Sequence, residues 1–502
     1  MWLKQVRLYH PNLRQYHLCC VHIQQNCVKE ILPFKDSPAS DEEVVSLEGH
    51  YLYPGFVDSH CHLLGFGTSL LESNLFNSAD QSVWKSRMEN DQRDVLIYRG
   101  WDEHKTGFYP SKQILDSFSI QKPILLIRKC GHAAVVNSIT LQKFPLDAFH
   151  QVDGTDLSIG LLTEKALLSL NKQIQSDPSQ LSIALTAANR YCQEYGISSV
   201  HSEDCSVINM KSMIPLLNNA SVRVHEKILV TSPDEMDQVI ETYPVLDSDV
   251  FSFGSFKIYM DGSLGAHNAF LSVPYSDEPS KRGYCFYTVD ELIRCIQTAQ
   301  HHSKQVAIHV IGDEALELCL QAFEYVSAHS GLTKTHRLVH VQMASNDQLR
   351  RIHSLPLVIN FQPVFAEADK IMAEKRLGKI RLQRLGYPFR AIRTMRIPFS
   401  LSSDTPVETM NPFAILSHAE KFMTREEAFY AYTVAGGEQA CFPMKTGILM
   451  PGSYADGFIL PVDLFQIRAE ELVSTKPLYV LSNGTILPIS KESGSLSCNH
   501  LM

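Results

Sequence analysis

The chain has 502 residues, of which 44% are hydrophobic and 20% are charged. This ordinary globular balance excludes a disordered, collagen-like or coiled-coil chain. Its formal charge is −9, so a basic nucleic-acid footprint is not expected. No apolar run approaches the roughly 18 residues of a membrane span, and the first 17 residues lack the apolar core of a signal peptide. We expect a cytoplasmic protein that acts on a small molecule, without nucleic-acid or membrane partners, and that can form a homo-oligomer.

The predicted strands begin with short alternating segments in residues 1–53 and a first buried strand at 55–58. From about residue 198 to 402, short apolar runs alternate with helix-like segments, which is typical of parallel strands joined by helices. This region contains six candidate strands, at 198–201, 255–259, 306–309, 337–340, 357–361 and 398–401. Thr288 and Glu291 form a predicted capping box before one of the helices.

Two upstream segments, 95–98 and 124–127, also have the pattern of buried strands, which makes nine candidates for an eight-stranded barrel. One of these two must then belong to an inserted element, and the sequence does not say which. Residues 446–488 return to short alternating runs with turns at Pro451-Gly452 and Asn483-Gly484, and residues 489–502 form a polar tail.

These elements predict an α/β fold, a distorted (β/α)8 TIM barrel with a small β-sandwich-like domain built from both termini. The domain boundaries are 1–53 with 446–488 for the β domain, and 54–445 for the barrel, with an insertion around 75–175. Active sites of such barrels lie at the carboxyl ends of the strands.

The strongest chemical signal is His60-Cys61-His62 at the end of the first strand. Because side chains alternate along a strand, both imidazoles can reach one point. An isolated His-x-His is more often incidental, so its weight comes from other residues. Lys257, His309, His340 and Asp404 each lie in or just after a later strand. In a parallel barrel those positions converge on one face.

At this point the sequence resembles the amidohydrolase superfamily, and the branch that contains N-substituted formamide deformylase. The further motifs that carry this resemblance are Gly100 to Glu103, Gly131-His132 with Asn137-Ser138, Asp261 to Gly265, Ile311 to Asp313, and Gly447 to Asp456. The resemblance implies a metal centre held by His60, His62, Lys257, His309, His340 and Asp404. It also implies hydrolysis of an amide or formamide carbon–nitrogen bond by a metal-activated hydroxide.

The implied cofactor is one or two divalent ions, with Zn²⁺ favoured by imidazole and carboxylate ligands. An ammonium group does not bind a cation, and the resemblance implies that Lys257 reacts with carbon dioxide to form a carbamate, which behaves as a bridging carboxylate. Asp404 would transfer the proton during attack, and His132 would polarise the substrate carbonyl or close the pocket. Four further residues are expected to line the substrate pocket, namely Trp101, Asp102, Gln342 and Gln362.

Some positions depart from the branch pattern, and alternatives stay open. Val339, Phe365 and the segment 266–268 stand where the branch often has other residues, so substrate identity is not carried over. A mononuclear deaminase would have a Glu three residues after His309, where this chain has Gly312. A catalytically inactive binding or assembly protein is a second alternative. For Lys257 itself, a buried ion pair with Asp261 is the structural alternative.

Overall fold

The computed structural model describes most of the chain as two compact units, one formed by residues 1–63 and 189–502 and the other by 64–188. The described residues are 1–36, 42–71, 73–74, 80–101, 108–118, 120–128, 133–144, 155–163, 166–167, 170, 173–174, 178–242 and 247–489.

Both ends of the chain contribute to one mixed eight-stranded sheet, as the sequence predicts. Its strands are Trp2–His10, Gln15–Gln24, Cys27–Pro33, Val44–Ser46, Tyr51–Pro54, Gly457–Leu460, Tyr479–Ser482 and Thr485–Pro488. The two segments join where Leu52 lies opposite Ile459 in an antiparallel pair. Val6, Val21 and Leu481 pack with these two residues in one apolar core, so neither segment buries its inner face alone.

Eight parallel strands form the barrel sheet of the same unit. In order around the sheet they are Phe56–Cys61, Ile197–Ser202, Arg223–Leu229, Phe251–Tyr259, Gln305–Val310, His336–His340, Leu357–Phe361 and Phe399–Leu401. The first and last strands approach each other, because the Asp404 amide donates to the His60 carbonyl and the His62 amide to the Thr405 carbonyl, both at 2.9 Å. The α/β barrel with a separate terminal sheet confirms the predicted fold class.

Helices connect the strands and cover the barrel. In this unit they are Met210–Leu217, Pro233–Thr242, Val289–His301, Asp313–His329, Asn346–His353, Phe365–Ala368, Lys370–Leu377, Lys379–Leu385, Phe389–Thr394, Pro412–Ala419, Arg425–Ala431, Val434–Gly437 and Ala469–Leu472, with 3-10 turns at Phe34–Asp36 and Leu464–Gln466. The predicted capping box is present, with the Thr288 amide donating to Glu291 Oε2 at 2.8 Å and the Glu291 amide to Thr288 Oγ1 at 3.3 Å. None of the helices in the described part of the chain is long and apolar enough to cross a membrane.

The unit 64–188 has its own five-stranded sheet and its own apolar cores. Its strands are Ser73–Asn74, Leu96–Trp101, Ile124–Arg128, Ala133–Val136 and Leu161–Thr163. Its described helices are Gln81–Glu89, Lys112–Ser117 and Ser138–Lys143, while Leu63–Leu71 and Pro178–Tyr195 run across its two boundaries. The expected insertion around 75–175 falls inside this unit, and the domain boundaries remain a prediction.

The expectation that one of the two upstream strand candidates belongs to the barrel is wrong, because both lie in the sheet of the unit 64–188. The third position in the barrel is instead occupied by the strand Arg223–Leu229, which the sequence analysis left unassigned. This strand is buried along almost its whole length yet has four polar or charged residues among seven, Arg-Val-His-Glu-Lys-Ile-Leu. A search for apolar runs therefore passes over it.

Replacing Ile459 with Ala tests the joint between the two terminal segments. Ile459 is fully buried in their shared core, and removing a buried Ile side chain costs about 2–5 kcal/mol. We expect a loss of unfolding free energy in that range by chemical denaturation. Val462→Ala is the matched control, because Val462 is 51% exposed just beyond the same strand, and an equal loss in both variants would contradict the shared core.

Candidate metal centre

His60, His62 and Asp404 form the centre of the site at the carboxyl ends of the first and last barrel strands. Asp404 Oδ1 lies 3.2 Å from His60 Nε2 and 3.6 Å from His62 Nε2. One potential ligand atom from each residue lies within 4.8 Å of the others. The alternation of side chains thus brings the two imidazoles together, and the approach of the last strand brings the carboxylate to them.

His309 and His340, from the fifth and sixth barrel strands, face the same cavity of about 390 Å³. The ring centroid of His340 is 4.7 Å from that of His309 and 5.2 Å from that of His60. Gln362 Oε1 lies 2.8 Å from His340 Nδ1, and this contact can fix the orientation of the ring. The four predicted histidines therefore converge, and Gln362 acts on one of them instead of lining the cavity.

Lys257 points into the barrel from the fourth strand and is completely buried. Its Nζ lies 2.6 Å from Glu203 Oε2. Glu203 in turn lies 3.4 Å from His60 Nδ1 and 3.5 Å from His62 Nε2, and the Tyr259 hydroxyl donates to its Oε1 at 2.6 Å. This carboxylate thus links Lys257 to the histidine pair.

The sequence analysis missed Glu203, although the residue lies two positions after the predicted strand at 198–201 and directly follows the observed strand, which ends at Ser202. An acidic residue just beyond a barrel strand was a usable signal. It was missed because no motif of the resemblance covers this segment.

Asp261 does not pair with Lys257, which answers the structural alternative for that lysine. The buried Asp261 carboxylate accepts hydrogen bonds from the amides of Ile311, Gly312 and Phe270, at 3.0, 2.8 and 3.0 Å. Its role is to fix the backbone that follows the fifth strand, directly beyond His309.

Lys227 is the second site residue that the sequence did not indicate. It lies on the unassigned third strand, is completely buried, and its Nζ is 2.6 Å from His60 Nδ1. Burial, with Lys257 nearby and partly opposed by Glu203, lowers the pKa of Lys227 to about 8. This contact leaves the Nε2 side of His60 toward Asp404.

The charges and the burial of the centre shift the pKa values of its residues apart. Although burial opposes it, Lys257 and the neighbouring histidines hold the pKa of Glu203 well below its usual range. The pKa of Asp404 is likewise held well below its usual range, because His60, His62 and His340 together outweigh the opposing effect of burial. Burial lowers the pKa of His340 to about 3, whereas Glu203 and Asp404 overcome burial and raise the pKa of His62 to about 9.

The remaining predicted pocket residues lie in different places. Gln342 lines the cavity with Phe365, whose ring stacks on His340 at 6.1 Å between centroids. Trp101 is buried in the unit 64–188, where its Nε1 donates to the Leu126 carbonyl at 2.9 Å. Asp102 and His132 lie outside the described residues.

The donor set fits a divalent ion. Imidazole nitrogens and carboxylate oxygens are the preferred protein ligands of Zn²⁺-like ions. Lys257 Nζ and Glu203 Oε2 pair with each other at 2.6 Å, whereas the buried His309 Nδ1 has no hydrogen-bond partner among the described residues. A buried polar atom without a partner is costly unless another group satisfies it, and a bound ion would do so for this imidazole nitrogen.

Comparison with known proteins decides the family. Residues 43–488 match the protein family described as Amidohydrolase family. The chain belongs to this family. Among its relatives, "Putative amidohydrolase YtcJ" of Bacillus subtilis (strain 168) is 30% identical over 444 residues, covering 84% of this chain and 81% of the relative. The N-substituted formamide deformylase of Arthrobacter pascens is 21% identical over 499 residues, covering 90% and 91%.

A solved structure agrees with this assignment. An uncharacterized metal-dependent hydrolase from Pyrococcus furiosus superposes with a TM-score of 0.82 at 25% identity, over 93% of this chain and 99% of the other. The amidohydrolase resemblance is therefore confirmed. The chain is a hydrolase of amidohydrolase type, in a family that generally binds divalent metal ions.

Next to the centre of this amidohydrolase, Glu226 is a buried carboxyl group with an incomplete set of partners. It neighbours Lys227 on the third barrel strand, its Oε1 accepts from the Cys205 amide at 2.7 Å, and its Oε2 has no hydrogen-bond partner among the described residues. Burial and the nearby Asp204 raise the pKa of Glu226 to about 8.

Glu226→Gln should change how stability depends on pH. A carboxyl pKa raised from 4.5 to about 8 on folding stabilises the fold below the unfolded value and loses that contribution as pH rises through about 8. We expect wild-type unfolding free energy to fall relative to Glu226→Gln between pH 5 and pH 9, by about 4 kcal/mol at most. Denaturation across this range would measure it. Glu241→Gln, at an exposed helical site, is the control, and parallel wild-type and Glu226→Gln curves would contradict the shift.

Proposed function

We propose that the protein is a Zn²⁺-type metal-dependent hydrolase that cleaves the carbon–nitrogen bond of an amide or N-substituted formamide of small size. The observation that carries this proposal is the convergence of His60, His62 and Asp404 with His309 and His340 around one cavity. The family supports hydrolysis, and the relationship to a formamide deformylase supports the bond type.

His60, His62 and Asp404 would hold one ion, and His309 with His340 would complete the ligand set or hold a second. When bound, a divalent ion supplies Lewis-acid polarisation of a carbonyl and of water. The chain's own residues orient the reactants. Lys227 and Gln362 fix two of the imidazoles through the contacts described above, so that the ligand atoms keep their directions.

Asp404 is proposed as the proton carrier of the reaction. Hydrolysis forms a bond from water oxygen to the acyl carbon and breaks the carbon–nitrogen bond, so a proton must move from the water to the leaving nitrogen. As an ionised carboxylate, Asp404 offers acceptor oxygens that can take up this proton transiently. Its position 3.2 Å from His60 Nε2 and 3.6 Å from His62 Nε2 supports this role.

The space around Gly312 favours hydrolysis of amides over deamination. A deaminase of this fold would place a Glu here, yet a Cβ added to Gly312 would lie 2.0 Å from the Phe270 carbonyl oxygen. No side chain fits without a shift of that backbone. The alternative of an inactive binding protein is disfavoured by the complete set of six predicted ligand residues.

The charge state of Lys257 depends on how many ions are bound. As an ammonium it neutralises Glu203 at 2.6 Å. As a carbamate, formed when its neutral amine adds carbon dioxide and releases a proton, it would place a second negative charge beside that carboxylate, at a cost of several kcal/mol at the effective dielectric of a protein site. Two bound cations can offset this repulsion. We therefore propose the carbamate for the two-ion state, and the ammonium for the other states.

The ligand assignment is tested by substitution. His60→Ala and His309→Ala should lose bound metal and amide hydrolysis together, because each removes an imidazole donor. Asp404→Asn should retain part of the metal while turnover falls by at least about 100-fold, since an amide is not a useful base. Elemental analysis and an amide screen supply the two measurements. His353→Ala, at an exposed helical site, is the control, and full turnover in Asp404→Asn would reject the proton-carrier role.

The state of Lys257 is read by NMR of protein reconstituted with metal and ¹³C-bicarbonate. We expect a carbamate signal that appears only when two ions are bound and that is absent from the double variant Glu203→Gln/Lys257→Met. The double variant is used because a single one would strand a buried charge. A protein with two bound ions and no such signal would show that Lys257 stays an amine.

A further inference from the structure

A second cavity, of about 600 Å³, opens beside the catalytic one at the carboxyl ends of the third and fourth barrel strands. Three residues, Tyr259, Ser263 and His309, line both cavities. His309 is a predicted metal ligand and the Tyr259 hydroxyl donates to Glu203. The second cavity therefore begins at the wall where the proposed reaction takes place.

The walls of this second cavity are mainly apolar. Leu229 and Val230 form one side, and the rings of Phe286 and Tyr287 form another. The carboxylate of Asp261, its acidic lining residue, is already occupied by three backbone amides. A ligand group here would find aliphatic and aromatic surface, with no free cation among the lining residues.

The aromatic wall is anchored by one backbone and one side-chain hydrogen bond and is partly open to solvent. The Phe286 amide donates to the Met260 carbonyl at 2.9 Å, and the Tyr287 hydroxyl donates to the Val230 carbonyl at 3.4 Å. The side chain of Phe286 remains 54% exposed. A ligand that covered this ring would remove apolar surface from water without disturbing the fold.

The catalytic cavity has a different character. Besides the predicted ligands it contains Gln342 and the acidic side chains of Asp369 and Glu408. The two compartments thus differ in polarity and meet at Tyr259 and His309. A substrate that spans them must be polar at the scissile bond and apolar on one side of it.

We propose that the second cavity, lined by Leu229, Val230, Phe286 and Tyr287, is a specificity site for an aromatic or branched aliphatic substituent of the substrate. This inference rests on the proposed amide hydrolysis and assigns it a substrate class. The cavity volume lies in the range of small-molecule sites, and it exceeds what a methyl substituent requires. Phe286 is the specificity-determining residue, since its exposed ring would stack on the bound group.

Three matched amides test the site, namely N-methylacetamide, N-(2-phenylethyl)acetamide and N-methyl-2-phenylacetamide. They share the amide and carry no ring, a ring on the nitrogen side, or a ring on the acyl side. We expect one of the ring-bearing amides to have a kcat/KM at least tenfold above that of N-methylacetamide. Phe286→Ala should reduce this preference about tenfold, mainly through a higher KM for the ring-bearing amide. Thr231→Trp, which would narrow the mouth from an exposed lining position, should do the same.

Tyr325→Ala is the control, because it removes a ring that is 46% exposed and lines neither cavity. Saturation-transfer NMR with the same amides reads binding without turnover. If the wild type binds a ring-bearing amide and Phe286→Ala does not, the specificity site stands even when no amide is hydrolysed, and only the proposed function fails. Equal binding of the ring-bearing amide by wild type and Phe286→Ala, or equal kcat/KM for all three amides, would overturn the specificity site.

Discussion

The closure between the first and last barrel strands is the contact on which the centre depends. Asp58 organises it, since its buried carboxylate accepts from the Ser403 amide at 3.1 Å and from the Tyr432 hydroxyl at 2.9 Å. The amide of Asp404 then reaches the His60 carbonyl. Two residues far apart in the sequence are thus held close enough together to bind one ion. Burial raises the pKa of Asp58 to about 6, because a charged carboxylate is unfavourable in the interior. The hydrogen bonds that it accepts compensate for part of this desolvation cost.

Beneath the centre, the barrel interior is polar, which sets the electrostatic conditions for the ligands. Arg337 is completely buried, and its guanidinium contacts His201 Nδ1 at 2.7 Å and His225 Nε2 at 3.1 Å. Burial and this cation hold the pKa of both histidines well below the usual range. Both histidines therefore stay neutral and accept hydrogen bonds from the guanidinium. Arg337 thus has hydrogen-bond partners in the barrel interior, although no carboxylate among the described residues bonds to it. Arg337 therefore places a positive charge beneath the centre, which adds to burial and to Lys257 in lowering the pKa of Lys227.

Much of this arrangement could be predicted from the sequence. The two-residue period of a strand predicts that His60 and His62 point the same way. Because the ends of parallel strands meet at one face, the convergence of His309, His340 and Asp404 with them could also be predicted. The errors have definite physical causes. Strands Leu96–Trp101 and Ile124–Arg128 pair in parallel in their own sheet, so their apolar runs look the same as barrel strands. Arg223–Leu229 was missed for the opposite reason, because it carries charged residues such as Lys227 that are satisfied only by contacts across the barrel.

The loop after the fourth strand connects the catalytic residues to substrate choice. Asp261, at its start, fixes the backbone beyond His309, while Ser263 lines both cavities. The amide of Gly262 donates to the Asn268 carbonyl at 3.3 Å, and the Asn268 amide to the Ser263 carbonyl at 3.0 Å, so the loop folds back on itself. The segment 266–268, which departs from the branch pattern, therefore sets the position of Ser263 in the wall that the two cavities share. Substitutions there can change which group fits beside His309 while Asp261 keeps the ligand strand in place, since the two functions use different residues of one loop.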